Sequence, residues 1–244
     1  MRADARLPLA LSLAGLIAAA WLYLVVAAHH MDAMATARPM AGPWSASEGL
    51  AVFAMWAVMM AAMMLPSAAP VIFAFAAATR RGAAPGSAAR IAAFVGGYLL
   101  VWTAFSALAT LGQWRLQLAA LVSGSGVAVT RLGGGLLLLA GVWQLTPLKR
   151  ACLSRCQSPL GFLLGEWREG TTGALAMGTR HGLYCVGCCW ALMALLFVAG
   201  VMNLAWIAIL AALVLTGKLV PAERLVSWPA GILLLGWGVW VVAR

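Results

Sequence analysis

Charged side chains are scarce in this chain of 244 residues. They make up 9% of the sequence, whereas a soluble domain contains about 25%, so the chain cannot cover a surface that faces water. A soluble globular enzyme, a disordered protein and a nucleic-acid-binding domain are therefore excluded. Acidic residues are the scarcest, six in all, and they form no pair within an apolar run, which argues against a proton pump with a carboxylate relay. A phosphate-binding loop and a recognisable Ser/His/Asp set are also lacking.

Apolar residues account for 64% of the chain, and the mean hydropathy of +0.97 is typical of a protein that crosses a membrane several times. A helix needs about 20 apolar residues to span the hydrocarbon core, and long uncharged runs recur along the sequence. We predict an all-α, polytopic transmembrane helix bundle that forms one membrane domain over residues 1–244. Pro66 and Pro70 should kink or break the second helix. The seven spans are expected at residues 7–28, 50–78, 91–112, 131–147, 177–200, 203–219 and 225–243.

Basic residues outnumber acidic ones, 16 to six, for a formal net charge of +10. If the N-terminus is cytoplasmic, twelve of the sixteen, Lys149 and Lys218 among them, fall on the inner side and four on the outer side. Cytoplasmic loops are enriched in Lys and Arg. The distribution therefore predicts an N-terminus inside and a C-terminus outside, and it accounts for most of the basic excess without nucleic acid as a partner.

One segment of the fifth span concentrates side chains that bind metals. On a helix, His181, Cys185, Cys188 and Cys189 occupy an arc of about 100°. Thiolate and imidazole ligands suit Cu(I) and Zn(II), and ligands at i, i+4 and i+7 are within reach of one ion. Two alternatives remain open: a redox-active dithiol formed by Cys185 and Cys188, and plain packing of cysteine as a small buried hydrophobic residue.

A second cysteine pair, Cys152 and Cys156, lies four residues apart in the predicted inner loop 148–172. The charge distribution puts this loop and the start of the fifth span on the same side of the membrane. We therefore expect all five cysteines to converge near the inner face. An odd number of cysteines on a reducing, cytoplasmic side does not favour disulfides.

A methionine-rich segment occupies the second span. Met55, Met59 and Met63 form a stripe at i, i+4 and i+8, with Met60 and Met64 further round the helix. Thioether sulfur is an uncharged, soft ligand that suits Cu(I) and is a poor ligand for Mg²⁺ or Ca²⁺. The stripe is either a path for a soft metal or ordinary core packing, for which methionine is well suited.

Imidazole and thioether groups also follow the first span, on the outer side. His29, His30, Met31 and Met34 stand close together there. Such a segment would suit copper capture in an oxidising compartment, and the alternative is a juxtamembrane loop without a metal.

Three segments, Met55–Pro70, Gln144–Pro159 and Met177–Val201, together resemble the motifs of a bacterial family of predicted metal-binding integral membrane proteins of undetermined function. Members of that family are sometimes labelled copper chaperones. The resemblance covers residues 50–222 and implies a multi-pass protein of the bacterial inner membrane. It also implies metal ligands among Cys152, Cys156, His181, Cys185, Cys188 and Cys189, with Met59, Met60, Met63 and Met64 behind them.

We therefore expect a membrane protein that binds a soft metal ion, Cu(I) rather than Zn(II), for transfer, transport or delivery to a copper enzyme. Its partners would be the lipid bilayer and a protein that donates or accepts copper. The sequence favours a carrier over an enzyme. The rival hypotheses are a membrane thiol-disulfide oxidoreductase that uses Cys185 and Cys188, and a non-catalytic structural subunit of a membrane complex.

Overall fold

A computed structural model describes residues 3–35, 44–81, 86–123, 125–220 and 223–244. This part of the chain is helical, with no β-strand beyond an isolated bridge between Val122 and Ala128. The helices are α1 Ala3–Ala35, α2 Ala46–Arg81, α3 Ser87–Leu118, α4 Thr130–Leu145, α5 Pro147–Gln157, α6 Pro159–Glu166, α7 Gly170–Ala194, α8 Leu196–Ala199, α9 Leu204–Leu219 and α10 Glu223–Val242.

Within the described ranges, five helical segments are long and apolar enough to cross a membrane. They are Leu7–His29, Ala46–Arg80, Ser87–Leu118, Gly170–Ala199 and Leu225–Val242. The prediction of an all-helical fold is thus confirmed. The predicted fourth and sixth spans correspond to α4 and α9, which have 16 residues each and are shorter than the usual span of about 20. The total of seven spans and the orientation of the termini stay predictions.

Helix α2 continues through both of its prolines, so it does not break near Pro66 and Pro70. The alternative, a kink, stays a prediction. Proline removes a backbone donor, and membrane helices tolerate it where neighbouring side chains satisfy the backbone. Here the Ser67 hydroxyl and the Tyr98 hydroxyl both donate to the carbonyl of Met64, at 2.9 and 3.1 Å. The prolines leave the carbonyls of Ala62 and Pro66 without their helical donors, so the two hydroxyl contacts fix α2 to its surroundings beside the prolines and do not replace the missing bonds.

Helices α3 and α7 pack closely because glycines face the partner backbone. A Cβ atom at Gly97 of α3 would collide with the carbonyl oxygen of Leu175, and one at Gly178 of α7 would collide with that of Phe94. Small residues permit such approaches between membrane helices. The close contact brings Tyr98 of α3 against the middle of α7.

Helices α4 and α10 pack in the same way, through glycines seven residues apart on each helix. A Cβ atom at Gly141 would lie 2.7 Å from Leu235, and one at Gly238 would lie 2.9 Å from Leu138. The packing fixes α10 beside α4, so that the end of α4 and the beginning of α10 lie together.

Residues 147–166, predicted to lie in a loop, form the two short helices α5 and α6. Each begins with proline at its first position, which suits a helix start. Each is capped by the preceding hydroxyl: Thr146 accepts from the backbone N–H of Lys149, and Ser158 from that of Gly161. The Thr-Pro and Ser-Pro pairs were visible signals of these helix starts.

Candidate metal centre

Three cysteines in the middle of α7 point into the bundle. Cys185, Cys188 and Cys189 are at most 2% exposed, so the helical face predicted from their spacing is the buried face. The thiols of Cys188 and Cys189 donate to the carbonyl of Cys185, at 3.1 and 2.9 Å. The helix therefore presents three sulfur atoms to the interior of the protein, and two of them, those of Cys188 and Cys189, carry a proton.

A lysine lies against these thiols. The ammonium of Lys218 donates to the Cys185 sulfur at 2.8 Å and to the Ser67 hydroxyl at 2.9 Å. The residue is 6% exposed, so it lies in the interior of the bundle and does not count towards the charge asymmetry of the loops. A signal was present in the sequence, because Lys218 is the one charged residue of the apolar helix Leu204–Leu219, and an ionisable group within a membrane helix marks a functional site.

Lys149 is also buried rather than in a loop. It is 5% exposed and donates to the Ser227 hydroxyl of α10. Without Lys149 and Lys218, ten basic residues remain on the predicted inner side and four on the outer side. The inner side still has more basic residues than the outer side, so the predicted orientation is unchanged and remains a prediction.

One methionine reaches the thiols. The sulfur of Met64 lies 4.0 Å from the Cys189 sulfur, and the hydroxyl of Tyr98 lies 3.1 Å from the Cys185 sulfur. Met64 is not part of the predicted stripe. The other methionines of α2 are buried as well, and none of the hydrogen bonds and sulfur contacts recorded for the thiols in the described part of the chain involves them: Met55, Met59, Met60 and Met63.

The second cysteine pair adjoins this cluster from α5. The buried Cys156 is hydrogen-bonded to Cys188. Cys152 is half-buried and packs on Gly187 of α7, where a Cβ atom would come within 2.7 Å of its sulfur. The two cysteines therefore lie on a helix against α7, and not in the loop that the sequence predicted.

The environment of α5 keeps both of these thiols protonated. The hydrogen bond with Cys188 and, after it, burial raise the pKa of Cys156 well above its usual range. Burial and the neighbouring Cys188 raise the pKa of Cys152. Since the thiolate is the metal ligand and the nucleophile, a metal must displace a proton to bind either residue.

Alkylation of Cys152 should be slow at neutral pH and should accelerate as the pH passes above the pKa of an ordinary cysteine. The raised pKa of Cys152 leaves less thiolate at a given pH than a free cysteine would have. Mass spectrometry of iodoacetamide-treated protein over a pH series, with a free cysteine peptide as the reference, measures the rates. Cys185 and Cys189 are the internal controls, because burial protects them until the protein is denatured. Faster labelling of Cys152 than of the peptide at neutral pH would contradict the assignment.

His181 lies one turn before Cys185 and is 1% exposed. It packs against three aromatic rings, with ring centroids 5.1 Å from Phe162, 5.7 Å from Tyr98 and 6.3 Å from Phe94. Its Nδ1 atom has no hydrogen-bond partner among the described residues. Buried polar atoms are usually paired, so His181 keeps a nitrogen available close to the thiols.

A small cavity adjoins the thiols where the ends of α4 and α9 meet the beginnings of α5 and α10. Its volume is about 20 Å³, enough for one water-sized species. Gln144, Lys149, Lys218 and Ser227 line it together with Cys188, Cys189 and apolar residues. The side-chain oxygen of Gln144 is buried and has no hydrogen-bond partner in the described part of the chain. Polar side chains therefore reach the interior beside the sulfur atoms, although most of the surface that lines the cavity is apolar.

The described residues contain no group of three or more His, Cys, Asp or Glu side chains arranged to hold a metal ion. The hydrogen bonds explain this in part, because Cys188 and Cys189 point towards the carbonyl of Cys185. What the structure brings together is thus four thiols and one thioether, and a bound ion would require rotation of the cysteine side chains.

The predicted outer capture segment is the end of α1 rather than a loop, since α1 continues to Ala35. His29 is exposed. The side chains of His30, Met31 and Met34 lie outside the part of the chain that the structure describes. Copper capture by this segment stays a prediction.

Comparison with known proteins identifies a family. The model of a protein family described as "Copper chaperone" matches residues 53–241. The match includes both cysteine-bearing segments and α10, a helix outside the resemblance seen in the sequence. No curated protein and no solved structure matches the chain.

Proposed function

We propose, because the chain belongs to the copper chaperone family, that its buried thiols bind Cu(I) and pass it across the membrane or to a copper enzyme. One observation carries the proposal: thiols from α5 and α7 and a thioether from α2 meet in one buried cluster. The sulfur atoms of Cys189 and Met64 are 4.0 Å apart, and Cys156 is hydrogen-bonded to Cys188. A cluster that needed cysteines only for packing would not require them to converge from different helices.

The donor atoms favour Cu(I) over other metals. Soft thiolate and thioether ligands select Cu(I), whereas hard cations prefer oxygen. The two carboxylates closest in sequence, Glu166 and Glu169, form ion pairs with Arg180 and Arg90 at 2.8 and 3.9 Å. Zn(II) would fit the thiolates and His181, but it is less suited to Met64. Copper is the cargo in this proposal and Zn(II) its competitor.

Transfer would proceed by ligand exchange, since the sequence has no motif for ATP binding. Cys188 of the cluster is hydrogen-bonded to Cys156, and the half-buried Cys152 lies one turn away from Cys156 on α5. The order Cys188, Cys156, Cys152 leads from the interior towards the surface. We propose that copper follows this order to or from a partner protein that docks beside α5.

The protein would sit in the bacterial inner membrane with α5 on the cytoplasmic side and lipid around its exposed apolar surface. A membrane-impermeant maleimide should then label Cys152 in inverted vesicles and not in intact spheroplasts. The reverse labelling pattern would contradict the predicted orientation and would move the transfer step to the other side of the membrane.

Elemental analysis of the detergent-purified protein after exposure to Cu(I) tests the function. We expect about one copper per chain, as in a single closed sulfur site, together with loss of thiols that react with a thiol reagent. A reversible Cys185–Cys188 disulfide without bound metal would instead support the thiol-disulfide oxidoreductase. Absence of both metal and redox change would leave a structural membrane subunit and would refute the proposed function.

A further inference from the structure

Lys218 is a buried cation without a carboxylate partner among the described residues. Its recorded contacts are the Cys185 sulfur, at 2.8 Å, and the Ser67 hydroxyl, at 2.9 Å. A charge in an apolar interior is costly unless an opposite charge lies close to it. The group in contact that is able to carry such a charge is the Cys185 thiol. An ammonium–thiolate pair formed by Lys218 and Cys185 would have a net charge of zero.

The formal charges of the site can be added in the same way when a metal is bound. Two thiolates and one Cu(I) ion carry a net charge of −1, and the ammonium of Lys218 brings the total to zero. Two thiolates and one Zn(II) ion are already neutral, so the ammonium would leave a charge of +1 in the interior unless a third thiol also lost its proton. A buried net charge is disfavoured in either direction.

We propose that Lys218 is the residue that makes this site specific for a monovalent soft cation, because its ammonium, 2.8 Å from the Cys185 sulfur, balances one metal charge and two thiolates. The inference rests on the proposed function and adds to it a reason why the site selects metal ions by their charge. Each Cu(I) ion that binds displaces one proton. The ion binds the sulfur atoms of Cys185 and of one neighbouring cysteine. That cysteine loses its S–H proton to solvent, and no electron is transferred. With Cys185 as the thiolate, the group formed by Lys218 and the two cysteines has no net charge before loading and none after it.

Position within the cluster supports this role. Lys218 comes from α9 and reaches α7, and its second contact, Ser67, belongs to α2. It is thus held from two helices, and it is not a surface lysine folded over the site. Lys149 lines the same cavity but donates to Ser227 on α10, which makes it a matched control: a buried ammonium beside the cavity whose recorded hydrogen bond is to a hydroxyl and not to a thiol.

The test compares affinities for Cu(I) and Zn(II) in the purified full-length chain, each measured by competition with a chelator of known affinity. The variants are Lys218→Met, Lys218→Gln, Lys218→Arg and Lys149→Met. Loss of the charge at position 218 should raise the ratio of Zn(II) to Cu(I) affinity by about tenfold or more, given the cost of an uncompensated buried charge. Lys218→Arg keeps the charge and should keep the ratio, as should Lys149→Met.

The outcomes separate this inference from the function on which it rests. A parent protein that binds no Cu(I) contradicts the proposed function. A parent protein that binds Cu(I), with the same metal ratio in a folded Lys218→Met or Lys218→Gln variant, overturns the role of Lys218 alone. An equal change of the ratio in Lys218→Arg or Lys149→Met also overturns it, because the effect would then not depend on the charge at position 218. Circular dichroism and gel filtration establish which variants are folded.

Discussion

Replacement of Gly97 by alanine is expected to lower the free energy of unfolding by about 3 kcal/mol or more, the upper part of the range for overpacked interiors. The added methyl group would collide with the carbonyl oxygen of Leu175 and would lie 2.8 Å from the backbone nitrogen of Thr179. Backbone atoms of α7 cannot rotate away as a side chain can, so α3 and α7 would have to separate. Reversible unfolding in mixed micelles, followed by circular dichroism, measures the change.

The adjacent residue provides a matched control. A Cβ atom at Gly96 meets no atom within 4 Å, and both glycines belong to the same helix. Gly96→Ala should be neutral or stabilising by up to about 1 kcal/mol, because alanine is the better helix former. Equal effects at the two positions would show that helix propensity, and not the contact between α3 and α7, governs the response.

The same contact links stability to the candidate site. Tyr98 follows Gly97 directly, and its hydroxyl lies 3.1 Å from the Cys185 sulfur and 3.1 Å from the carbonyl of Met64. A separation of the helices would move the hydroxyl away from both. We therefore attribute the position of the cluster to the glycines of α3 and α7, which contribute no ligand.

The helices that could be predicted from the sequence are those with a long apolar run, and the reason is physical: a span needs a continuous apolar surface. Helices α5 and α6 have 11 and 8 residues and lack such a run, so the hydropathy of this segment predicted a loop. Their signals were local, a capping hydroxyl followed by proline, and had to be read separately from hydropathy.

The cysteine face of α7 was predictable because the spacing of Cys185, Cys188 and Cys189 defines one side of a helix. The groups that contact it were not, since Tyr98 and Lys218 are far away in the chain and their positions depend on how the helices pack. Lys218 was counted with the basic residues of the inner side, and its contact with the thiols was not foreseen. A basic residue near the end of an apolar helix fits the rule for inner loops equally well.

The spacing of the methionines defines a stripe on α2, but it does not show which side of the helix faces the thiols. Met55, Met59 and Met63 do share a stripe, yet Met60 and Met64 on other parts of α2 are equally buried. A helix surrounded by protein on most sides has no single buried face, so its periodicity cannot show which side meets a site. Contact with the thiols belongs to Met64.

Replacement of both Cys185 and Cys188 by serine is expected to lower the affinity for Cu(I) by about a hundredfold or more, since loss of a residue that merely supports a ligand costs 10–100-fold. The variant removes the sulfur that contacts Lys218 and the sulfur that is hydrogen-bonded to Cys156, and hydroxyl oxygen is a poor ligand for a soft ion. Competition with a chromophoric Cu(I) chelator measures the affinity. Serine is close to cysteine in size and can still donate to a backbone carbonyl, so the fold should persist.

Cys152→Ser is the control for this variant, because it makes the same chemical change at a half-buried position near the surface. We expect it to retain the Cu(I) affinity of the parent chain and to slow the exchange of copper with an external thiol, since copper would lose the outermost step of its path. Parent-like affinity in the Cys185→Ser/Cys188→Ser protein would place the ion elsewhere. Loss of affinity in Cys152→Ser alone would make α5, and not the interior of α7, the principal binding site.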